Sequence, residues 1–365
     1  MKIIFATNYS YPQVGGSENV IKEVSERFAL NPENSVFVLS NNVKAEFCEK
    51  AVSYLPLKSY EAFVSFVNQS NIDILMVYSD CFIYWKDIIL NPERLKCKIV
   101  LCPVGFNATE KNTKLYTLLS SNGSKIFFIP HSKNYKDYSI VEYLKLNNRV
   151  IPNGIDLKCF TDNSIDFKKK YSIEDKKVIL NVSNFFPGKG QEFASELIPE
   201  EIKKDCVFVS ISSKINLPFE SSYLSKCIAS FNNKKIKNMF LRSVGREIVL
   251  SAFKCSDIFL FTSQKEVSPL VVIECIAAKL PWVSMPVGNC SELPGGIIIP
   301  NQDKDFSGNY VFNQKVKKEF KDTVYSILTD DKRKKDITKN NLEFIEKRDW
   351  DKIQKEYENY FKEII

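Results

Sequence analysis

The chain has 365 residues, 44% hydrophobic and 26% charged, enough apolar material for two domains with real cores and typical of a soluble globular protein. Its net charge of +7 is spread along the chain with no basic block, so it reads as a lysine-rich solvated surface and argues against a nucleic-acid partner. No apolar run approaches a membrane span, Asn8 interrupts the short run after Met1 that a signal peptide would need, and the ten scattered cysteines form no Cys-x-x-Cys pair, so reduced cytoplasmic thiols are expected.

The first part alternates short apolar runs with amphipathic stretches. Lys2–Ala6 reads as a buried strand, and Ser17–Leu30 as a helix with Val20, Ile21, Val24 and Phe28 at helical spacing. Between them, Gly15 and Gly16 would let a ligand come close to the backbone. Ser17 is a candidate N-cap for that helix, whose N-terminus favours phosphate. An ordinary strand-to-helix turn accounts for the same residues, and the Gly-x-Gly-x-x-Gly spacing is absent.

Further strands are expected at Ser35–Ser40, Ile72–Tyr78, Lys98–Cys102 and Lys125–Ile129. Strands alternating with helices imply a parallel sheet with right-handed crossovers. Tyr54, Phe63, Phe66, Phe82, Tyr84 and Trp85 could meet a sugar or a membrane, though core packing is the commoner fate of such residues. His131, the single histidine, follows a strand; catalytic and structural readings both stay open. No Gly-x-Ser-x-Gly elbow supports a hydrolase.

Pro152-Asn153-Gly154 reads as a turn whose Asn-Gly pair suits positive φ, and Asp156–Asp175 as a polar linker. The alternation restarts beyond it, with strands expected at Val178–Val182, Val207–Ile211, Ile258–Phe261, Trp282–Met285 and Ile297–Ile299. Lys189, flanked by Gly188 and Gly190, follows the first of these and could reach a diphosphate. An exposed turn lysine is the simpler account, and the surrounding residues do not make a P-loop.

Glu266 and Glu274 stand eight positions apart, the first in a loop and the second in an apolar helical run. With helix starting near Pro269, the separation spans roughly 12 Å. That is about the distance between the two sugars of a nucleotide-diphosphate sugar. The helix N-terminus between them suits the diphosphate. Gly288 reads as a turn, and the pairs Asp303/Asp305 and Asp349/Asp351 as loop and helix-start acids, not a metal site. Asp349–Ile365 reads as an amphipathic helix with Ile353, Tyr357, Phe361 and Ile364 on one face.

Four of these motifs, in this order, resemble the retaining glycosyltransferases of family four: Pro12-to-Glu18, Pro152-to-Asp156, Pro187-Gly-Lys189-Gly190, and Glu266 with Glu274. The resemblance implies an α/β fold of GT-B architecture, two Rossmann-like parallel-sheet domains facing an interdomain cleft. It implies an acceptor-side domain over 1–155, a nucleotide-sugar domain over 156–345, and a helix over 346–365 crossing back to the first domain. Carried over by motif, Glu266 contacts the donor sugar, Glu274 the ribose, and Lys189 with Gly15 and Gly16 the diphosphate. Backbone amides near Ser268–Val271 complete the phosphate cradle, in a donor-binding stretch that comprises Val267, Ser268, Pro269, Leu270 and Val271.

The family also implies a UDP- or GDP-linked sugar as co-substrate, no metal or other cofactor, and a glycan or lipid-linked acceptor. Contact with the cytoplasmic face of a membrane follows from the same habit. Two positions depart from the family. Asn184 stands where many members have an arginine on the diphosphate, and Val104 where many have a histidine near the sugar. The rivals are a sugar-nucleotide epimerase, a phosphorylase with a lysine-bound pyridoxal group, and a non-catalytic binding module.

Overall fold

The structure is a computed structural model that describes residues 1–79, 81–104, 110–120, 125–134, 136–161, 165–213 and 220–365. The chain divides into two compact units, Met1–Gly154 with Arg348–Ile365, and Ile155–Lys347.

The first unit runs β1 (Lys2–Thr7), α1 (Gly16–Ala29), β2 (Ser35–Ser40), β3 (Phe47–Glu49), β4 (Val52–Pro56), α2 (Tyr60–Gln69), β5 (Ile74–Tyr78), α3 (Trp85–Leu90), β6 (Lys98–Cys102), α4 (Glu110–Ser120), β7 (Ile126–Phe128) and α5 (Lys136–Tyr143). Its seven strands are ordered β3-β4-β2-β1-β5-β6-β7, parallel except for the edge strand β3. Continuous apolar runs such as Ile3-Ile4-Phe5-Ala6 are buried along their length, as a parallel sheet covered on both faces requires. Tyr54, Phe63, Phe82 and Trp85 are buried in this core, and Phe66 and Tyr84 pack against it.

The second unit runs α6 (Phe167–Lys170), β8 (Lys177–Val182), α7 (Gln191–Ala194), β9 (Cys206–Ser212), α8 (Glu220–Asn233), β10 (Lys237–Arg242), α9 (Arg246–Cys255), β11 (Ile258–Phe261), α10 (Leu270–Ala277), β12 (Trp282–Ser284), β13 (Gly296–Ile298), α11 (Gln314–Thr329), α12 (Asp331–Thr338) and α13 (Asn341–Glu346). Its six strands are all parallel, ordered β10-β9-β8-β11-β12-β13. The stretch 156–175 is less of a linker than its polarity suggests. Phe167 and Ile173 are fully buried in the second unit's core, while 162–164 lie outside the described residues.

The last helix, α14 (Trp350–Ile364), belongs to the first unit. Its expected apolar face is buried: Ile353, Tyr357, Phe361 and Ile364. Phe361 stacks on Phe28 of α1 at 5.3 Å, and Asp351 pairs with Arg27 at 2.9 Å. Asp349 caps the helix, accepting from the Asp351 N–H at 2.8 Å, so both acids of that pair have structural partners. Gly154 is not the positive-φ glycine that Asn-Gly predicts. It is small because a Cβ there would lie 2.7 Å from the Trp350 ring.

Both sheets reverse their strand order once, between β1 and β5 and between β8 and β11. Ligands of open α/β sheets bind beyond the strand ends at such a reversal.

Candidate functional site

At the β8/β11 reversal the loops after the two strands are laced together. The Thr262 hydroxyl donates to the Lys189 carbonyl at 2.8 Å, and the Gln264 N–H to the Gly188 carbonyl at 2.8 Å. Gly190 sits at φ +73°, and a Cβ there would meet the Thr262 carbonyl oxygen at 2.1 Å. Only glycine fits both conditions. The lacing holds Lys189 against Glu266, with Nζ 2.6 Å from Oε1 and the side chains 15% and 12% exposed. The Lys189 ammonium also lies 5.6 Å from the centre of the Phe186 ring.

A third loop sets the height of Glu266. Gly288, at φ +52°, lies where a Cβ would meet the Val267 carbonyl oxygen at 2.3 Å. The Asn289 N–H donates to that carbonyl at 2.9 Å, and its side-chain amide to the Ser268 hydroxyl at 3.3 Å. Pro269 is the N-cap of α10 and not a residue of its first turn. The helix therefore opens at Leu270 and Val271, whose N–H groups precede the intrahelical ladder. The Val267 and Pro269 side chains are buried, so any ligand contact there falls to the backbone.

Asn184 brings no charge to this site. Its side-chain oxygen accepts from Ser213 at 2.6 Å, and its carbonyl accepts from Gln191 at 3.0 Å. Glu274 is paired with Arg246, the first residue of α9, a partner that motif reading did not find. The one signal in the sequence was a cation at a helix start, against the helix dipole. Beneath the two glutamates lie buried thiols. Burial, with Glu266 nearby, pushes Cys290 up, and burial, with Glu274 beside it, pushes Cys275 up, so neither is a nucleophile.

In the first unit, α1 starts at Gly16 with Gly15 as its extended N-cap (φ −166°), so Ser17 falls inside the first turn. A Cβ on Gly15 would meet the Glu18 carboxylate at 2.4 Å, whereas Gly16 has nothing within 4 Å and leaves the backbone open. Burial raises the Glu18 carboxyl above its usual range. The loops after β1 and β5 are joined by Asn8, which donates to the Cys81 carbonyl at 2.6 Å and accepts from the Ile83 N–H at 3.2 Å. Val104, half-buried, follows β6.

His131 is interior, 2% exposed. Nδ1–H donates to the Ile151 carbonyl at 2.8 Å, and Nε2 accepts from the Tyr78 hydroxyl at 2.9 Å with Cys102 Sγ at 3.3 Å. Burial pulls its pKa down to about 4, so it is a neutral structural ring at ordinary pH.

A cation against a carboxylate, a helix N-terminus beside them and a second carboxylate further along α10 can together bind an anion flanked by two hydroxylated groups. Residues 162–344 match the family described as glycosyl transferases group 1. The chain belongs to this family. A curated relative of this glycosyltransferase, N-acetyl-alpha-D-glucosaminyl L-malate synthase of Bacillus anthracis, is 22% identical over 78% of this chain and 79% of its own.

Similar solved structures include the sucrose-phosphate synthase of Thermosynechococcus elongatus, with a TM-score of 0.80 at 14% identity over 100% of this chain and 98% of that one. The Anabaena protein HepE, solved in complex with UDP-glucose, superposes with a TM-score of 0.74 at 14% identity over 100% of both chains. Both sheets and these neighbours give the glycosyltransferase the GT-B fold. Among the described residues no helix is long and apolar enough to cross a membrane.

Proposed function

We propose that this glycosyltransferase moves a sugar from a UDP- or GDP-linked donor to a hydroxyl of a glycan or lipid-linked acceptor, with retention at the anomeric carbon and without a metal. The observation that carries the reading is the Lys189–Glu266 pair at the sheet reversal, with the α10 N-terminus beside it. In this reading Lys189 leaves Glu266 for the diphosphate and offsets the charge that builds on the leaving group. Glu266 then orients the sugar, Glu274 accepts from the ribose hydroxyls, and the amides over Ser268–Val271 meet the phosphates.

The acceptor oxygen attacks from the face that the diphosphate leaves. The carbon–oxygen bond to phosphate breaks with its electron pair, and the acceptor's proton passes to the departing phosphate oxygen. Gly16, with open space above it, gives an anion a close approach to α1. The acid pairs are otherwise engaged, which supports the metal-free reading. Asp305 accepts from the Ser307 and Asn309 N–H groups, and Asp349 caps α14. A cytoplasmic site of action, at the inner face of a membrane during surface-glycan assembly, is the setting that suits such an acceptor.

Titration calorimetry with UDP, GDP and ADP, without metal, on the wild type and Glu274→Ala, tests the donor site. Micromolar binding of one nucleotide, weakened by the substitution, is expected. A second reading, a binding module without turnover, is favoured by the neutral Asn184–Ser213 contact at the position where many members carry a cation. Binding without transfer from any nucleotide sugar would establish it.

A further inference from the structure

The Arg246–Glu274 contact joins two helices that no motif connects. We propose that Arg246 is a positioning residue that fixes Glu274 for the ribose, making the enzyme selective for ribonucleotides over their 2′-deoxy counterparts. The inference rests on the donor-site reading above.

Three observations carry it. Arg246 is the first residue of α9, where the helix dipole disfavours a cation, so its placement there is locally costly. Local rules of this kind are broken at functional sites. Next, its guanidinium pairs with Glu274 on another helix, while Glu247 follows it in α9. Gly245 makes room for this division: a Cβ there would meet the Glu247 carboxylate at 2.1 Å, so Glu247 covers the start of α9 and leaves Arg246 to Glu274.

Finally, the pair leaves Glu274 acceptor capacity. A carboxylate has about four lone-pair sites. Arg246 contacts Oε1, and the remaining sites suffice for two vicinal hydroxyls. The Glu274 side chain is 13% exposed between the buried Ile273 and Cys275, while the Arg246 side chain is 52% exposed. The arginine therefore acts as an outer brace on an inward carboxylate. Without it Glu274 loses the contact that aims both of its oxygens at one ribose.

The test uses the full chain and calorimetric titration with UDP, GDP and ADP and with the 2′-deoxy form of whichever binds. The wild type is expected to prefer the ribonucleotide about tenfold, the scale of hydrogen bonds to a charged acceptor. Arg246→Ala is expected to cut that preference to about twofold by weakening the ribonucleotide alone, with Arg246→Lys between the two. Glu274→Ala should abolish the preference. Equal weakening of both nucleotides by Arg246→Ala, or an unchanged ratio, overturns the positioning role. A wild type that binds no nucleotide overturns the donor-site reading and this inference with it. A wild type that binds both forms equally overturns the inference and the ribose role of Glu274, and leaves the diphosphate site of Lys189 standing. Thermal melts of each variant separate loss of fold from loss of selectivity.

Discussion

Lys189 Nζ lies 2.6 Å from Glu266 Oε1, so the cation proposed for the diphosphate is already held by the carboxylate proposed for the sugar. A nucleotide must compete with Glu266 for that ammonium. Glu266→Gln is therefore expected to tighten nucleoside-diphosphate binding several-fold while transfer falls about 100-fold, the scale lost with one electrostatic contact at a reacting centre. Calorimetry and a transfer assay on the same variant check it. Weaker binding together with lost transfer would mean that the two residues do not exchange partners.

Lys189→Ala should act in the opposite sense on binding. It removes the ammonium and leaves Glu266 to repel the diphosphate. A drop in affinity of at least tenfold is expected, because hydrogen bonds to charged groups contribute about 1.5–3 kcal/mol. The same titration measures it, with circular dichroism to show that the fold is retained.

The glycines of the lacing differ in what they tolerate. Gly190→Ala meets both the positive φ of +73° and the Thr262 carbonyl at 2.1 Å. Gly188→Ala meets only its φ of +92°, with nothing within 4 Å. The strained conformation alone costs about 1–2 kcal/mol. Gly190→Ala is expected to lower the urea midpoint clearly more than Gly188→Ala, and equal midpoints would contradict the packing described.

His131 gives the first unit a pH dependence. Its pKa is pulled down from 6.5 to about 4 in the fold, so the unfolded chain takes up a proton that the folded one refuses. Its contribution is whole above pH 6.5 and is lost as pH falls toward 4, a loss of roughly 3 kcal/mol. Burial raises Glu18 and Glu356, which pushes the other way as pH falls, so the comparison must be between variants. His131→Gln should flatten the dependence of the urea midpoint between pH 7 and 5 relative to wild type.

On α14, Phe361→Ala should cost about 3–5 kcal/mol, because it removes a fully buried ring stacked on Phe28. Asp351→Ala should cost under about 1 kcal/mol, since its pair with Arg27 is half open to water. Chemical denaturation of the two variants distinguishes them.

The elements legible in the sequence were those with a single dominant signal. The apolar runs of β1, β2, β6 and β8, and the helical spacing of α1 and α14, told both type and burial. β10 did not, because Lys237 and Arg242 end it and its residues between are only half-buried at a sheet edge. β4 was lost among polar neighbours, although Val52 and Tyr54 are fully buried. The start of α1 was misplaced because Ser17 looks like a cap, while extended Gly15 performs that role. At the site, motif order led to Lys189, Glu266 and Glu274, but their ion pairs were not readable. Contacts between separate elements, such as Arg246 of α9 with Glu274 of α10, depend on sheet order and leave no local pattern.

The chain leaves the first unit at Gly154 and returns at Arg348. A ribosome therefore delivers the second unit whole before it delivers the residues that seat Phe361 on Phe28. The half synthesised first is the last to be finished, and until α14 emerges the face of Phe28 that Phe361 covers is open to chaperones or to other nascent chains.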